Sequence, residues 1–174
     1  MSTLKVDTIQ NVAGTVNKGV LQVVTARLNT VFSTTSTSFT DITGLDEVEI
    51  TPRATSSKIL VLYSYMPFGT TGGYGFYRLV RDSTAIFVGD ASGSRTRSAS
   101  SQYFYSGNYA SYYGGLRWCE IVLDAPSSTS QLTYKAQVKT TGGSTVGVNT
   151  SGYNTDRADD PIAASSLTVM EIEG

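Results

Sequence analysis

The sequence predicts an all-β protein, an antiparallel jelly-roll β-sandwich knob with an extended N-terminal arm. Three observations carry this expectation. Short runs rich in β-branched and aromatic residues recur along the chain, separated by Gly, Pro and Ser/Thr turns. One of them, "LTYKAQVK" from Leu132, places Leu132, Tyr134, Ala136 and Val138 on one face and Thr133, Lys135, Gln137 and Lys139 on the other. That period of two is the mark of a half-buried antiparallel strand. No stretch sustains the i, i+3, i+4 spacing of an amphipathic helix. About eight to ten short strands over roughly 155 residues point to a sandwich rather than a barrel around a ligand cavity.

The elements follow in order. Residues 1–19 form the arm, with "LKVDTI" as an isolated strand and "NVAG" as a break; the sandwich is expected over residues 20–174. "VLQVVTARL" from Val20 is its first strand. "STTSTSFT", bracketed by Phe32 and Phe39, predicts an ordered edge strand or a tight connection rather than a linker. "FTDI" from Phe39 and "EVEITP" from Glu47 come next, the latter closed by Pro52. "KILVLYSYM", Lys58 to Met66, is too short and too β-prone for a helix. "GFYRLV" from Gly75 and "TAIFVG" from Thr84 follow. Residues 91–115 form a long excursion holding five of the eleven tyrosines, which is either functional or conceals further strands. "LRWCEIVL" from Leu116 places Cys119 beside Trp118, and a small buried thiol is expected there. "LTYKAQVK" and "SLTVMEIE" from Ser166 complete the set. Pro126 and Pro161 fall between runs, where a missing N–H is tolerated. "TTGGYG" and "TTGGST" supply turn residues that accept positive φ.

Composition bounds the function. The 174 residues suggest one domain with an appended arm, large enough to fold without metal or disulfide staples. Hydrophobic residues make up 40% and the net charge is −1, the opposite of a disordered chain. The 13 basic residues against 14 acidic ones are scattered, with Arg95 and Arg97 as the only basic knot, so no nucleic acid is expected as a partner. Histidine is absent and cysteine occurs once, which excludes Ser-His-Asp and Cys-His catalysis and the usual zinc sites. No apolar run approaches the ~18 residues of a membrane helix, so no membrane insertion is expected. No signal-peptide core is present at the start, and synthesis in a cytosol without a recognisable export leader is the expectation.

Five stretches together carry a resemblance: "STLKVDTIQNVAG", "FSTTSTSFTDITGL", "ITPRATSSKILVLYSY", "RLVRDSTAIFVGD" and "SSLTVMEI". In this order, over most of the chain, they resemble a recurrent type of bacteriophage virion surface protein of the tail-fibre, head-fibre or capsid-decoration kind. The resemblance carries no enzymatic motif. It implies a homotrimeric β-sandwich knob, similar to the trimeric knobs of the TNF and complement C1q type, displayed on the virion. It leaves head or tail position open. The block "SQYFYSGNYASYYGG" lies outside the shared pattern, as a partner-specific loop would.

Particular residues then stand out. Leu4, Val6 and Ile9 alternate along the arm and would anchor it to another virion protein, a major capsid or tail protein, by strand addition or by lying in a groove. Tyr103, Tyr105, Tyr109, Tyr112 and Tyr113 are candidates for external binding, because tyrosine offers a stiff amphipathic surface and the neighbouring Ser, Gly and Asn adapt by hydrogen bonding. Host surface polysaccharide is the partner such a loop suits; packing in the core or at a trimer interface is the competing reading. "NTDRADDP" gathers Asn154, Asp156, Asp159 and Asp160, oxygen ligands that Ca²⁺ could use, but without the glycine and distal glutamate of an EF-hand the solvated acidic loop is preferred. The same acids are the only pair available to a glycosidase, and neighbours in sequence rarely straddle a glycosidic bond. "NTS" at Asn149 fits the glycosylation pattern and is read as accidental in a phage product.

No cofactor and no enzymatic activity are expected. The primary expectation is a trimeric capsid-decoration (cement) or head-fibre knob, made in the host cytoplasm and held on the particle by its arm. A tail-fibre receptor-binding protein for host glycans is the alternative, and a glycan-degrading enzyme a minor one. Nineteen extended residues span at most about 60 Å, and without a long shaft a stubby knob on a large assembly is favoured.

Overall fold

The structure is a computed structural model that describes residues 19–70, 72–105 and 116–174. The arm residues Leu4, Val6 and Ile9 lie outside the described residues, as do Tyr109, Tyr112 and Tyr113. The strands are β1 (Val20–Leu28), β2 (Phe32–Thr34), β3 (Thr40–Asp41), β4 (Val48–Ile50), β5 (Lys58–Tyr65), β6 (Pro67–Gly69) and β7 (Gly73–Arg81). They continue with β8 (Thr84–Ile86), β9 (Ser100–Phe104), β10 (Trp118–Asp124), β11 (Leu132–Thr140), β12 (Val146–Val148) and β13 (Ser165–Ile172). No helix occurs among the described residues.

Two antiparallel sheets make the sandwich. One has the order β1-β13-β5-β10. The other runs β3-β11-β7-β8, with β4 also on β11 and β9 also on β7. Following the chain, β1 lies in the first sheet, β3 and β4 in the second, β5 in the first, and β7, β8 and β9 in the second. Then β10 returns to the first, β11 to the second and β13 to the first. This winding from sheet to sheet, with the last strand paired to the first, is the jelly roll the sequence predicts. A small third sheet, β2-β12-β6, closes one end.

Alternation builds the core. Ile59, Val61, Tyr63 and Tyr65 of β5 point inward with Leu167 and Val169 of β13. They meet Tyr77 and Leu79 of β7 and Leu132, Tyr134, Ala136 and Val138 of β11. The inward set predicted for "LTYKAQVK" is therefore the observed one. Four tyrosines belong to this core. Tyr63 and Tyr65 stack with centroids 4.1 Å apart, and Tyr65 lies 5.0 Å from Tyr77. Burial pushes the Tyr63, Tyr65, Tyr77 and Tyr134 phenols well above their ordinary range, so they stay neutral. Tyr65, Tyr77 and Tyr134 donate to oxygen partners, while the Tyr63 hydroxyl has no partner among the described residues.

Buried polar groups act as rivets. Asp124 of β10 accepts from Arg81 Nη1 at 2.5 and 2.6 Å and from the Tyr134 hydroxyl at 2.7 Å, tying one sheet to the other. Asn149, at φ 81°, donates from Nδ2 to the carbonyls of Leu28 and Thr30 at 2.9 Å, and its Oδ1 accepts from Ser165 at 2.6 Å. Glu171 of β13 is shut off from solvent. Its carboxylate accepts from the Arg53 backbone N–H at 2.6 Å, Ser57 Oγ at 2.7 Å and Gln22 Nε2 at 2.6 Å. In the end sheet, Gly147 is sealed against backbone: an added Cβ would meet the Phe32 carbonyl oxygen at 1.9 Å.

The structure corrects one expectation in the sandwich. Cys119 is exposed, not buried. In β10 the inward positions are Trp118, Glu120 and Val122, with Cys119, Ile121 and Leu123 outward. The phase follows Trp118 and Val122, which pack on the core, Trp118 edge-on to Tyr65 and Tyr77. Glu120 goes inward with them, and its carboxylate accepts from the Tyr65 hydroxyl at 3.1 Å. The tight connection expected at "STTSTSFT" is present: β2 begins at Phe32, and Ser36 and Ser38 close a side-chain turn before β3. The excursion at 91–115 does conceal a strand, β9.

Candidate functional site

The two outer faces of the sandwich differ in chemistry. On the first sheet, register aligns outward residues in rows. Val23, Met170, Leu60 and Leu123 form one row, and Thr25, Thr168, Leu62 and Ile121 the next. Arg27, Ser166, Ser64 and Cys119 form a third. Leu123 is 60% exposed, Ile121 56% and Val23 55%. One end of the face is thus a contiguous aliphatic band. The other is polar, with Arg117 donating to Ser64 Oγ at 2.8 Å and to the Ala164 carbonyl at 2.7 Å. Contiguous exposed apolar surface on a folded domain marks an interaction face.

The second sheet presents aromatic rings and cations. Tyr74 of β7 pairs across the ladder with Tyr103 of β9, their centroids 4.6 Å apart. Tyr105 continues the line 6.3 Å from Tyr103, and Phe76 extends it 6.0 Å from Tyr74. Tyr74, Tyr103 and Tyr105 are 44%, 40% and 57% exposed. Beyond Phe76 the Lys139 ammonium lies 5.7 Å from that ring and 5.5 Å from Phe39. The Arg78 guanidinium sits 3.8 Å over Phe39 and donates to Gln137 Oε1 at 2.8 Å. Two of the five tyrosines singled out in sequence, Tyr103 and Tyr105, are thus exposed surface residues in one line of rings. The tyrosine-rich run "MPFGTTGGYGFYR", residues 66–78, is the second such candidate in the sequence and holds Tyr74, Phe76 and Arg78 without marking them individually. Lys139 was not singled out, because only the β11-β7-β9 register brings it there.

The acidic loop bonds mostly within itself, although Asp160 Oδ1 is buried without a partner among the described residues. Arg157 donates to Asp159 at 2.9 and 3.0 Å, and Asp160 Oδ2 accepts from the Thr155 N–H and hydroxyl at 2.5 and 2.9 Å. Burial would raise the Asp160 carboxyl, but bonds from Ser151 and Thr155 and the Arg157 charge outweigh it and hold it below the usual carboxylate range. A carboxyl so held is poorly suited to donate a proton to a leaving group. The loop walls a cleft of about 30 Å³. A second cleft, about 380 Å³, was not foreseen and is lined by Asp41, Asp46, Glu47, Glu49, Asp82, Thr133 and Lys135. No group of three or more His, Cys, Asp or Glu side chains is arranged to hold a metal ion among the described residues. Asn149 of the "NTS" motif is wholly buried with its amide nitrogen engaged, which bars glycan attachment in the folded protein.

No protein-family model matches the chain, and no curated protein matches it.

Proposed function

We propose that the chain is a phage virion structural protein: the knob of a homotrimeric capsid-decoration or head-fibre assembly, attached to the particle by residues 1–19. The observation that carries the reading is the aliphatic band Val23–Met170–Leu60–Leu123 with Leu62 and Ile121 beside it. A jelly roll that exposes such a band across a whole sheet gains by covering it, and three copies about an axis do so with one repeated interface. The resemblance of the five sequence stretches to virion surface proteins supports the same assignment. Three arms on one trimer would turn a weak single attachment into a durable one. A tail-fibre position would use the same knob on a different mount.

The test is the mass in solution. Wild type should sediment at three times the 18.6 kDa of the chain, and Ile121→Glu, which places a charge in the band, should sediment as a folded monomer. Cys119 gives a second readout. Its thiol borders the band, so thiol reagents should react slowly with wild type and quickly with Ile121→Glu. Deleting residues 2–18 should leave the trimer intact and abolish particle binding. A wild-type monomer would sink the trimer, and truncated trimers that decorate particles normally would sink the anchor.

A further inference from the structure

The geometry points to a binding platform for an acidic polysaccharide on the outer face of β9, β7 and β11, made of Tyr105, Tyr103, Tyr74 and Phe76 with Lys139 and Arg78 at its end. This site does not depend on the trimeric reading, because it lies on the sheet opposite the aliphatic band.

Three features select the ligand. The rings form an unbroken line, with successive centroids 6.3, 4.6 and 6.0 Å apart. A flat, partly exposed aromatic ring offers its face to the apolar C–H face of a pyranose, while the tyrosine hydroxyls and Ser101, in register with Phe76, reach sugar hydroxyls. A line of rings therefore suits a chain of sugars better than a single one. The rings stand out on the face of a sheet, with Tyr74, Tyr103 and Tyr105 44%, 40% and 57% exposed.

The charge selects an acidic chain. Lys139 makes no ion pair among the described residues; its ammonium is held only by the faces of Phe76 and Phe39. Asp41, a carboxylate on the same face, is already engaged by Lys135 at 3.4 Å and Gln137 at 2.5 Å. Lys139 thus leaves uncompensated positive charge where the ring line ends, while the Arg78 guanidinium beside it is partly balanced by the Asp41 charge. A carboxylated pyranose can stack on Tyr74 or Phe76 and set its carboxylate against Lys139. Two cations are too few to hold the closely spaced phosphates of a nucleic acid, the other polymer that stacks on aromatic ladders.

The experiment is affinity electrophoresis of the full-length protein through gels containing polygalacturonate, dextran or oligo-dT. Polygalacturonate should retard it, less so as salt rises, and more than either other polymer. Tyr74→Ala and Tyr103→Ala should each weaken retardation about fivefold, whereas Tyr→Phe at either position should preserve it because the ring remains. Lys139→Gln, a surface change that leaves the core untouched, should remove the preference for polygalacturonate over dextran. It keeps the test decisive if an alanine variant fails to fold. No retardation by polygalacturonate, equal or stronger retardation by dextran or oligo-dT, or an unchanged preference in Lys139→Gln would each overturn the assignment. A monomeric wild type would overturn the trimer and leave this result standing.

Discussion

Replacing Glu171 tests whether a buried carboxylate holds one edge of the sandwich together. Its side chain gathers β1 through Gln22 and the β4–β5 connection through Arg53 and Ser57. Glu171→Ala removes three charge-assisted bonds. Gln22 retains a partner in the Thr51 carbonyl at 2.7 Å, so two donors, the Arg53 N–H and the Ser57 hydroxyl, are stranded. At about 1–3 kcal/mol per buried unsatisfied group, with a small cavity added, the loss is about 4 kcal/mol. For a domain of this size that lowers Tm by about 8–16 °C. Glu171→Gln keeps the shape and one acceptor oxygen and should cost about half as much. Linkage gives the pH dependence. Burial pushes the carboxyl up, but the bonds from Ser57, Arg53 N–H and Gln22 and the Arg53 charge prevail and leave it below its ordinary 4.5. A depressed folded value means the contribution is fully present above about pH 4.5 and is lost as pH falls through the lower folded value. Urea unfolding of wild type and Glu171→Gln from pH 7 to pH 3 should show curves that converge on the acid side. A loss below 1 kcal/mol in Glu171→Ala, or a gap independent of pH, would refute this account.

Substitutions at two further positions probe the end of the sandwich. Gly147→Ala drives a Cβ to 1.9 Å from the Phe32 carbonyl oxygen, a backbone atom that cannot rotate away. It should part β2 from β12 and cost more than about 3 kcal/mol by urea unfolding. Asn149→Gly and Asn149→Ala both lose the bonds to Leu28, Thr30 and Ser165, but only alanine also meets strain at φ 81°. Calorimetry should therefore find alanine the worse of the two by about 1 kcal/mol.

How much of this was legible in the sequence depends on what each residue reports. β11 could be read outright because its polar face is polar throughout, so period two had one interpretation. β10 could not. In "WCEIVL" both faces carry apolar residues, and only Tyr65 and Tyr77, distant in sequence, show that Trp118 and Glu120 face inward. β5 hid the aliphatic band for the same reason, since Leu60 and Leu62 read as core beside Ile59 and Val61. β6 and β12 were missed because three residues carry no period, and β6 opens on Pro67. β9, "SSQYF", is mostly polar and draws its place from pairing with β7. The tyrosines announced themselves by density, but density does not say which face they share. Tyr63, Tyr65, Tyr77 and Tyr134 fill the core while Tyr74, Tyr103 and Tyr105 line the surface. Lys139 and Arg78 join the surface line only through a register spanning three strands.

The pairing of β1 with β13 sets a timetable for synthesis. Val20 faces Ile172 across the ladder, and the Glu173 N–H closes on the Gly19 carbonyl. During translation β1 emerges well before β13, its one paired neighbour among the described strands, and at typical elongation rates waits on the order of ten seconds for it. Throughout that wait Val24, Ala26 and Leu28 have half a core to pack against, and both edges of the strand are open. The molecule is thus most vulnerable to joining a sister chain in the interval before β13 is made. Crowded ribosomes on one message would make misassembly a matter of spacing between nascent chains, and slowing initiation should raise the yield of correctly closed protein.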